Sequence, residues 1–297
     1  MRGGRVMKKR NWIWIVLIIL CLAAFFVYRA WDQMRTDTQP PVLSVPDETL
    51  EISVQEPQSA LVQGVSAADN VDGDVTDSIV VESVSLLSGE NGTISVGVAA
   101  FDSAGNVAKA QRKARYTDYE SPKFTLSGPL LYAYGRSFDV LDTVGAEDVI
   151  DGNIQHHVRA MATDGNAITT VGTHKVQFQV TNSLGDTVTQ VFPVEVYYAD
   201  AYDAALTLKE YLVYLPKGAE FNAKSYLDTF TVMGESHILG SMLSENYSLK
   251  TRGVVNTAKP GTYSVEYRVT YTERNERNPA NDREYTGYSK LIVVVEG

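Results

Sequence analysis

The sequence predicts an all-β architecture, three tandem β-sandwich modules, placed behind one N-terminal membrane-spanning helix. Three observations carry this: an uncharged apolar run near the N-terminus, an almost complete loss of helical periodicity after residue 36, and an internal repeat spaced by about 80 residues.

The apolar run comes first. Residues 12–28 read Trp-Ile-Trp-Ile-Val-Leu-Ile-Ile-Leu-Cys-Leu-Ala-Ala-Phe-Phe-Val-Tyr without a charge. At 1.5 Å rise per residue this lies at the short end of a bilayer span and is longer than the core of most signal peptides. Trp12, Trp14, Tyr28 and Trp31 flank it as an aromatic belt, and Arg2, Arg5, Lys8, Lys9 and Arg10 precede it. The positive-inside rule therefore keeps residues 1–11 cytoplasmic and sends the rest of the chain outside the plasma membrane. The competing reading is a cleaved signal peptide, but Val27-Tyr28-Arg29-Ala30 makes a poor small-x-small cleavage site. The expectation is a single-pass signal anchor over residues 12–29 and a juxtamembrane linker over 30–39. The sequence ends just after the apolar strand Leu291–Val295, without a C-terminal sorting signal, so the helix is the expected anchor.

Charge is unevenly divided. Residues 1–36 hold seven Lys/Arg and one acid, Asp32, whereas the remainder holds 19 bases and 35 acids. Such an acidic ectodomain repels nucleic acid and anionic membrane surfaces. It suits cations, basic partners or neutral glycans. The lone cysteine, Cys21, sits inside the apolar run behind Leu20, where lipidation would require a small residue. An exported chain without an internal disulfide fits a bacterium better than a eukaryotic secretory route.

The repeat is read from landmarks. Asp69-Asn-Val-Asp72-Gly73-Asp74-Val is matched 79 positions later by Asp148-Val-Ile-Asp151-Gly152-Asn153-Ile. Asp102-Ser-Ala-Gly105-Asn106 is matched by Asn182-Ser-Leu-Gly185-Asp186 at an offset of 80, and Pro41-Val-Leu by Pro122-Lys-Phe at 81. A third, weaker copy shows in Gly261-Thr-Tyr-Ser-Val-Glu-Tyr-Arg-Val, which aligns with Gly172-Thr-His-Lys-Val-Gln-Phe-Gln-Val and with the segment beginning Gly92-Thr-Ile-Ser-Val. Each is a period-2 strand. In the third, Tyr263, Val265, Tyr267, Val269 and Tyr271 face one way. Short strands punctuated by Gly, Asn, Asp and Pro in units of this length predict immunoglobulin-like sandwiches. The boundaries are 40–118, 119–199 and a divergent 200–297, and the short linkers predict end-to-end stacking as a rod.

The segment Ala-Ala-Asp69-Asn-Val-Asp72-Gly73-Asp74-Val-Thr with Phe-Asp102-Ser-Ala-Gly105-Asn106-Val resembles the bacterial immunoglobulin-like repeats of Gram-positive surface proteins. Similar modules lie beside pesticidal crystal toxins and occur as hyalin-type repeats. The resemblance covers the first copy well, the second fairly and the third partly. It implies an extracellular sandwich in adhesive or spacer roles and names no ligand. The third copy departs most: Met233-Gly-Glu-Ser-His237 replaces the acidic motif, and a polar insertion spans Thr272 to Tyr288.

In such a sandwich the loop holding Asp72-Gly73-Asp74 and the turn Asp102–Asn106 share one pole, so Asp69, Asp72, Asp74, Asp102 and Asn106 are candidate oxygen ligands for Ca2+. Turn chemistry accounts for the same residues without a metal, because Asp and Asn cap turns and Gly takes positive φ. The second copy carries fewer carboxylates. Among the histidines, His174 falls on an inward strand face and is expected to be structural, and the pair His156-His157 is placed on a strand, where alternation would point the two rings apart. Tyr211, Tyr214, Tyr285 and Tyr288 are not assigned by strand alternation, which makes the third copy the candidate recognition module.

No nucleophile elbow, phosphate loop, zinc spacing or paired-carboxylate frame is present. The chain is therefore expected to be non-enzymatic, without a small-molecule substrate. It would display its modules for adhesion to extracellular proteins, glycans or cell-wall polymers. The alternative is an accessory or docking subunit of a cell-envelope assembly or membrane enzyme complex.

Overall fold

The computed structural model describes residues 9–35, 37–87, 89–90, 92–163, 168–239, 245–275, 277 and 281–297. It is all-β after a single N-terminal helix, α1 (Lys9–Arg35). Within α1, the 18 residues Trp12–Arg29 have a mean hydropathy of 2.3 and are not covered by any other described residue, a length and composition sufficient to cross a membrane.

The chain divides into two compact units, Met1–Thr117 and Asp118–Gly297. The first contains β1 (Val42–Ser44), β2 (Leu50–Ile52), β3 (Ser66–Asp69), β4 (Gly73–Asp74), β5 (Val80–Leu86), β6 (Thr93–Phe101) and β7 (Val107–Tyr116). Strands β1-β3-β4 form one sheet and β2-β7-β6-β5 the other, with β2 parallel to β7 and the remaining pairs antiparallel. The core is built from small and branched side chains, among them Leu61, Ala67, Ile94, Val96, Val98 and Ala114. Arg112 of β7 is buried with them, and its Nη1 donates to the Leu61 and Gln63 carbonyls at 3.3 and 2.7 Å, which offsets part of the cost of burying a guanidinium.

The second unit opens with the same plan. It has β8 (Lys123–Leu126), β9 (Leu131–Ala133), β10 (Val144–Asp148), β11 (Gly152–Asn153), β12 (Arg159–Ala162), β13 (Gly172–Thr181) and β14 (Thr187–Tyr197), arranged as sheets β11-β10-β8 and β12-β13-β14-β9. Phe192 stands at the place of Arg112 and completes an aromatic trio with Phe124 and Phe178, ring centroids 5.6–6.4 Å apart.

The third copy follows within the same unit. Its strands are β15 (Ala204–Leu208), β16 (Leu212–Leu215), β17 (Leu227–Val232), β18 (Glu235–Ile238), β19 (Tyr247–Arg252), β20 (Gly261–Glu273) and β21 (Arg283–Val295). They join into one seven-stranded sheet, because β15 and β16 both pair in parallel with β21, and the sheet curls around a single core. On β20, Val265, Tyr267 and Val269 are buried and Tyr263 and Tyr271 pack beside them, as the alternation predicts. Where the acidic motif is replaced, Met233 (φ 50°) and Gly234 (φ 83°) form the two-residue turn of the β17–β18 hairpin, with both central residues left-handed.

One expectation is corrected here. The second and third copies are not beads on a rod. Leu291, Val293 and Val295 of β21 enter the third core, while Ile292 and Val294 on the opposite face enter the core of the second copy, joined by Leu212 and Tyr214 of β16. A strand apolar on every residue must be covered on both faces, and end-to-end stacking would leave one of them wet. The polar insertion 272–288 is largely paired strand. Thr272 pairs with Glu284 and Glu273 with Arg283, so it prolongs the β20–β21 hairpin; positions 276 and 278–280 lie outside the described residues.

Candidate functional site

The acidic pole of the first module is built by the end of β3, the tight turn into β4, and the turn between β6 and β7. Gly73 (φ 75°) and Gly105 (φ 88°) supply the left-handed residues that these turns require. The predicted residues do different jobs. Asp72 reaches across to the β6–β7 turn, its carboxylate accepting from Ser103 N at 2.7 Å and Ser103 Oγ at 2.8 Å. Asp74 caps the next turn, accepting from Thr76 N at 3.0 Å; the Thr76 hydroxyl and then this backbone bond hold its carboxyl below the usual range. Asn106 Nδ2 donates to Asp102 Oδ2 at 2.7 Å and to the carbonyls of Asp37 and Gln39 at 3.2 and 3.3 Å.

The structure gathers Asp69 and Asp102 with a residue absent from the sequence reading, Asp37, from the segment that follows α1. One carboxylate oxygen from each of the three lies within 4.8 Å of the others. Each carboxylate is fixed through its Oδ1 by backbone N–H groups: Asp37 by Gln39 N (3.0 Å), Asp69 by Val71 N and Asp72 N (2.8 and 2.9 Å), and Asp102 by Asn106 N (2.7 Å). Asp69 and Asp102 are each only 8% exposed. The backbone bonds from Asp72 and Val71 hold the Asp69 carboxyl below the usual range, against desolvation, which pushes it the other way. Its Oδ2, like Asp37 Oδ2, is buried and accepts no hydrogen bond among the described residues.

The second module carries the same pole with the amide and carboxylate exchanged. Asp148 stands for Asp69, its Oδ1 again accepting from two backbone groups, Ile150 N and Asp151 N. Asn182 stands for Asp102, and Asp186 for Asn106. Asn182 Nδ2 donates to Asp148 Oδ2 and to the Tyr119 hydroxyl, both at 3.0 Å, and that hydroxyl donates to Asp186 Oδ2 at 2.6 Å. Burial and the adjoining Asp186 carboxylate push the Tyr119 hydroxyl well above its ordinary pKa, so it stays a donor. The clamp is repeated too: Asp151 accepts from Ser183 N and Oγ at 2.6 and 2.7 Å.

Asp37 was missed because it lies outside every repeated motif; the signal was the offset of 81, which sets it opposite the segment that begins Asp118-Tyr119. The exchange of Asp102/Asn106 for Asn182/Asp186 was legible in the aligned motifs.

The other candidates resolve as structure. His174 is half-buried, with Nε2 2.7 Å from the Thr170 carbonyl. His156 and His157 lie on a 3-10 turn, Gln155–His157, and not on a strand; the turn brings their rings to 4.1 Å between centroids instead of onto opposite faces. Among the unassigned tyrosines, Tyr214 accepts from Phe124 N at 2.9 Å, and burial pushes its hydroxyl up to about 12. Tyr288 stacks on Tyr202 at 5.0 Å and donates to Glu195 Oε2 at 3.0 Å, the carboxylate that also pairs with buried Lys290. Both therefore tie the third copy to the second. Tyr211 and Tyr285 pack against the third core.

No family model matches the chain. It is 31% identical over 127 residues to an uncharacterized 81.3 kDa protein of Acholeplasma phage L2; the aligned stretch is 43% of this chain and only 16% of that protein. Among solved structures, the chain is similar to the CBM51-2 and INT domains of Clostridium perfringens ZmpB, at 21% identity and a TM-score of 0.22, covering 57% of this chain and 31% of that one. It is also similar to the protocadherin gammaB4 extracellular domain (14% identity, TM-score 0.20, 87% and 50%) and to human CDH23 EC21-23 (15%, 0.20, 86% and 100%). At such TM-scores these are distant likenesses only.

Proposed function

We propose that this is a non-enzymatic, membrane-anchored surface protein that presents its immunoglobulin-like modules outside the cell for adhesion to an extracellular protein or glycan. The observation that carries the reading is α1: an 18-residue apolar surface, uncovered among the described residues, joined to β modules whose cores include none of its side chains. An uncovered apolar helix of that length is stable only against lipid or another helix. The basic residues before it favour a cytoplasmic N-terminus, and the acidic balance after it favours a soluble ectodomain.

The test is protease treatment of intact cells carrying the full chain with a tag at each end. The C-terminal tag should be lost and the N-terminal tag protected, with the chain remaining in the membrane fraction. Release of the β modules into the medium would show that α1 is a cleaved leader and end the anchor reading. Binding of the washed cells to purified cell-wall glycan or to extracellular matrix protein, lost on deletion of 119–297, would support adhesion. Co-purification with one membrane protein through residues 12–29 would instead favour the docking-subunit role.

A further inference from the structure

The acidic pole of the first module has a property that its charge alone does not explain. Three carboxylates are immobilised through Oδ1 by backbone N–H groups, and two of the remaining oxygens, Asp37 Oδ2 and Asp69 Oδ2, are withdrawn from solvent with no donor. Leaving a buried carboxylate oxygen without a partner is costly, and gathering three such groups adds repulsion. The second module shows what relieves this. There the carboxylate equivalent to Asp69 receives an N–H from Asn182, and the tyrosine hydroxyl of Tyr119 closes the network. In the first module the amide sits at Asn106, where its Nδ2 donates to Asp102 Oδ2 and to the carbonyls of Asp37 and Gln39, and the Oδ2 atoms of Asp37 and Asp69 are left without a donor. A positive partner is therefore wanted where the second module supplies its own donor.

The geometry points to a divalent cation site of the Ca2+ class, formed by Asp37, Asp69 and Asp102. All three donors are hard carboxylate oxygens, and no histidine or cysteine belongs to the cluster, which disfavours softer metals. Water would complete the coordination. Asp37 gives the site a consequence: the cation ties the segment that follows α1 to the β6–β7 turn and to the end of β3. The site would thus set how firmly the first module holds the chain leaving the helix. Asp72 and Asp74, engaged with Ser103 and Thr76, stand outside the ligand set.

The test uses the full chain in detergent, stripped with chelator and titrated with CaCl2, read by calorimetry and by thermal unfolding. Saturable binding of one ion with an upward shift in unfolding temperature is expected. Asp102→Asn copies Asn182 of the second module, so the variant should fold at least as well without metal while its affinity falls about tenfold or more, since affinity follows the number of ligand charges. Asp37→Asn, in a segment outside the strands, should weaken binding similarly, and Asp74→Asn should leave affinity unchanged. Absence of saturable binding up to about 10 mM Ca2+, roughly ten times the weak end of extracellular sites, would overturn the proposal. So would an undiminished Ca2+ response in Asp102→Asn, or a response to Mg2+ that Ca2+ does not reproduce. Failure here leaves the adhesion reading intact, because that reading is scored by cell binding and topology.

Discussion

The first and second modules share strand order, a serine clamp and an acidic pole, yet one completes its polar network and the other does not. The difference lies in two exchanges: Asn182 for Asp102, with Asp186 for Asn106, and the Tyr119 hydroxyl against the Asp37 carboxylate. A similar contrast runs through the cores, where Phe192 replaces Arg112 and builds an aromatic trio in place of a guanidinium held by two carbonyls. A duplicated fold keeps its backbone while neutral and charged partners are redistributed, and a buried carboxylate is tolerated wherever something positive or donating meets it.

Several substitutions break or sharpen this contrast. The largest effect is expected from Phe192→Ala, about 3–5 kcal/mol from the lost burial and the cavity left behind. Because Ile292 and Val294 share that core, urea unfolding should show the second and third copies losing stability together. A second transition that stays in place would separate them. Lys290→Ala leaves Glu195 with Tyr288 as its remaining partner and should cost about 3 kcal/mol, the scale for breaking a buried ion pair, again across the whole 118–297 unit. Asn182→Ala removes the donor shared by Asp148 and Tyr119 and should cost about 2 kcal/mol. Asp102→Ala in chelator should cost the first module less than that, because the Asp69 oxygen has no donor to lose; equal losses would erase the distinction between the two poles. The smallest effect is expected at the shared clamp. Asp72→Ala and Asp151→Ala remove matching bonds to Ser103 and Ser183, and each should cost about 1 kcal/mol by chemical denaturation, near the ordinary value for exposed bonds.

Much of the fold was legible because it depends on local pattern. Period-2 alternation assigned Val265, Tyr267 and Val269 to a core, and the strand order of the expected immunoglobulin-like sandwich placed the two loops at one pole. The candidate site was only half legible. Asp69 and Asp102 lie in repeated motifs, whereas Asp37 lies in none and meets Asp102 across 65 residues of chain. The roles of Tyr214 and Tyr288 were hidden for a related reason: a tyrosine that faces away from its own module's core looks exposed until the neighbouring module covers it.

The sequence by itself determined one apolar helix, β modules in register at offsets of 79 to 81, and an acidic motif strong in the first copy and diluted in the second. Those properties follow from hydropathy and from turn residues, which act over a few neighbouring positions. Only the tertiary structure decided that β21 is buried on both faces, that the second and third copies share a core, and that an amide fills in one module the place which three carboxylates surround in the other. The physical reason is that burial and hydrogen-bond satisfaction belong to contacts between distant segments, and neither periodicity nor motif spacing records which donor meets which acceptor.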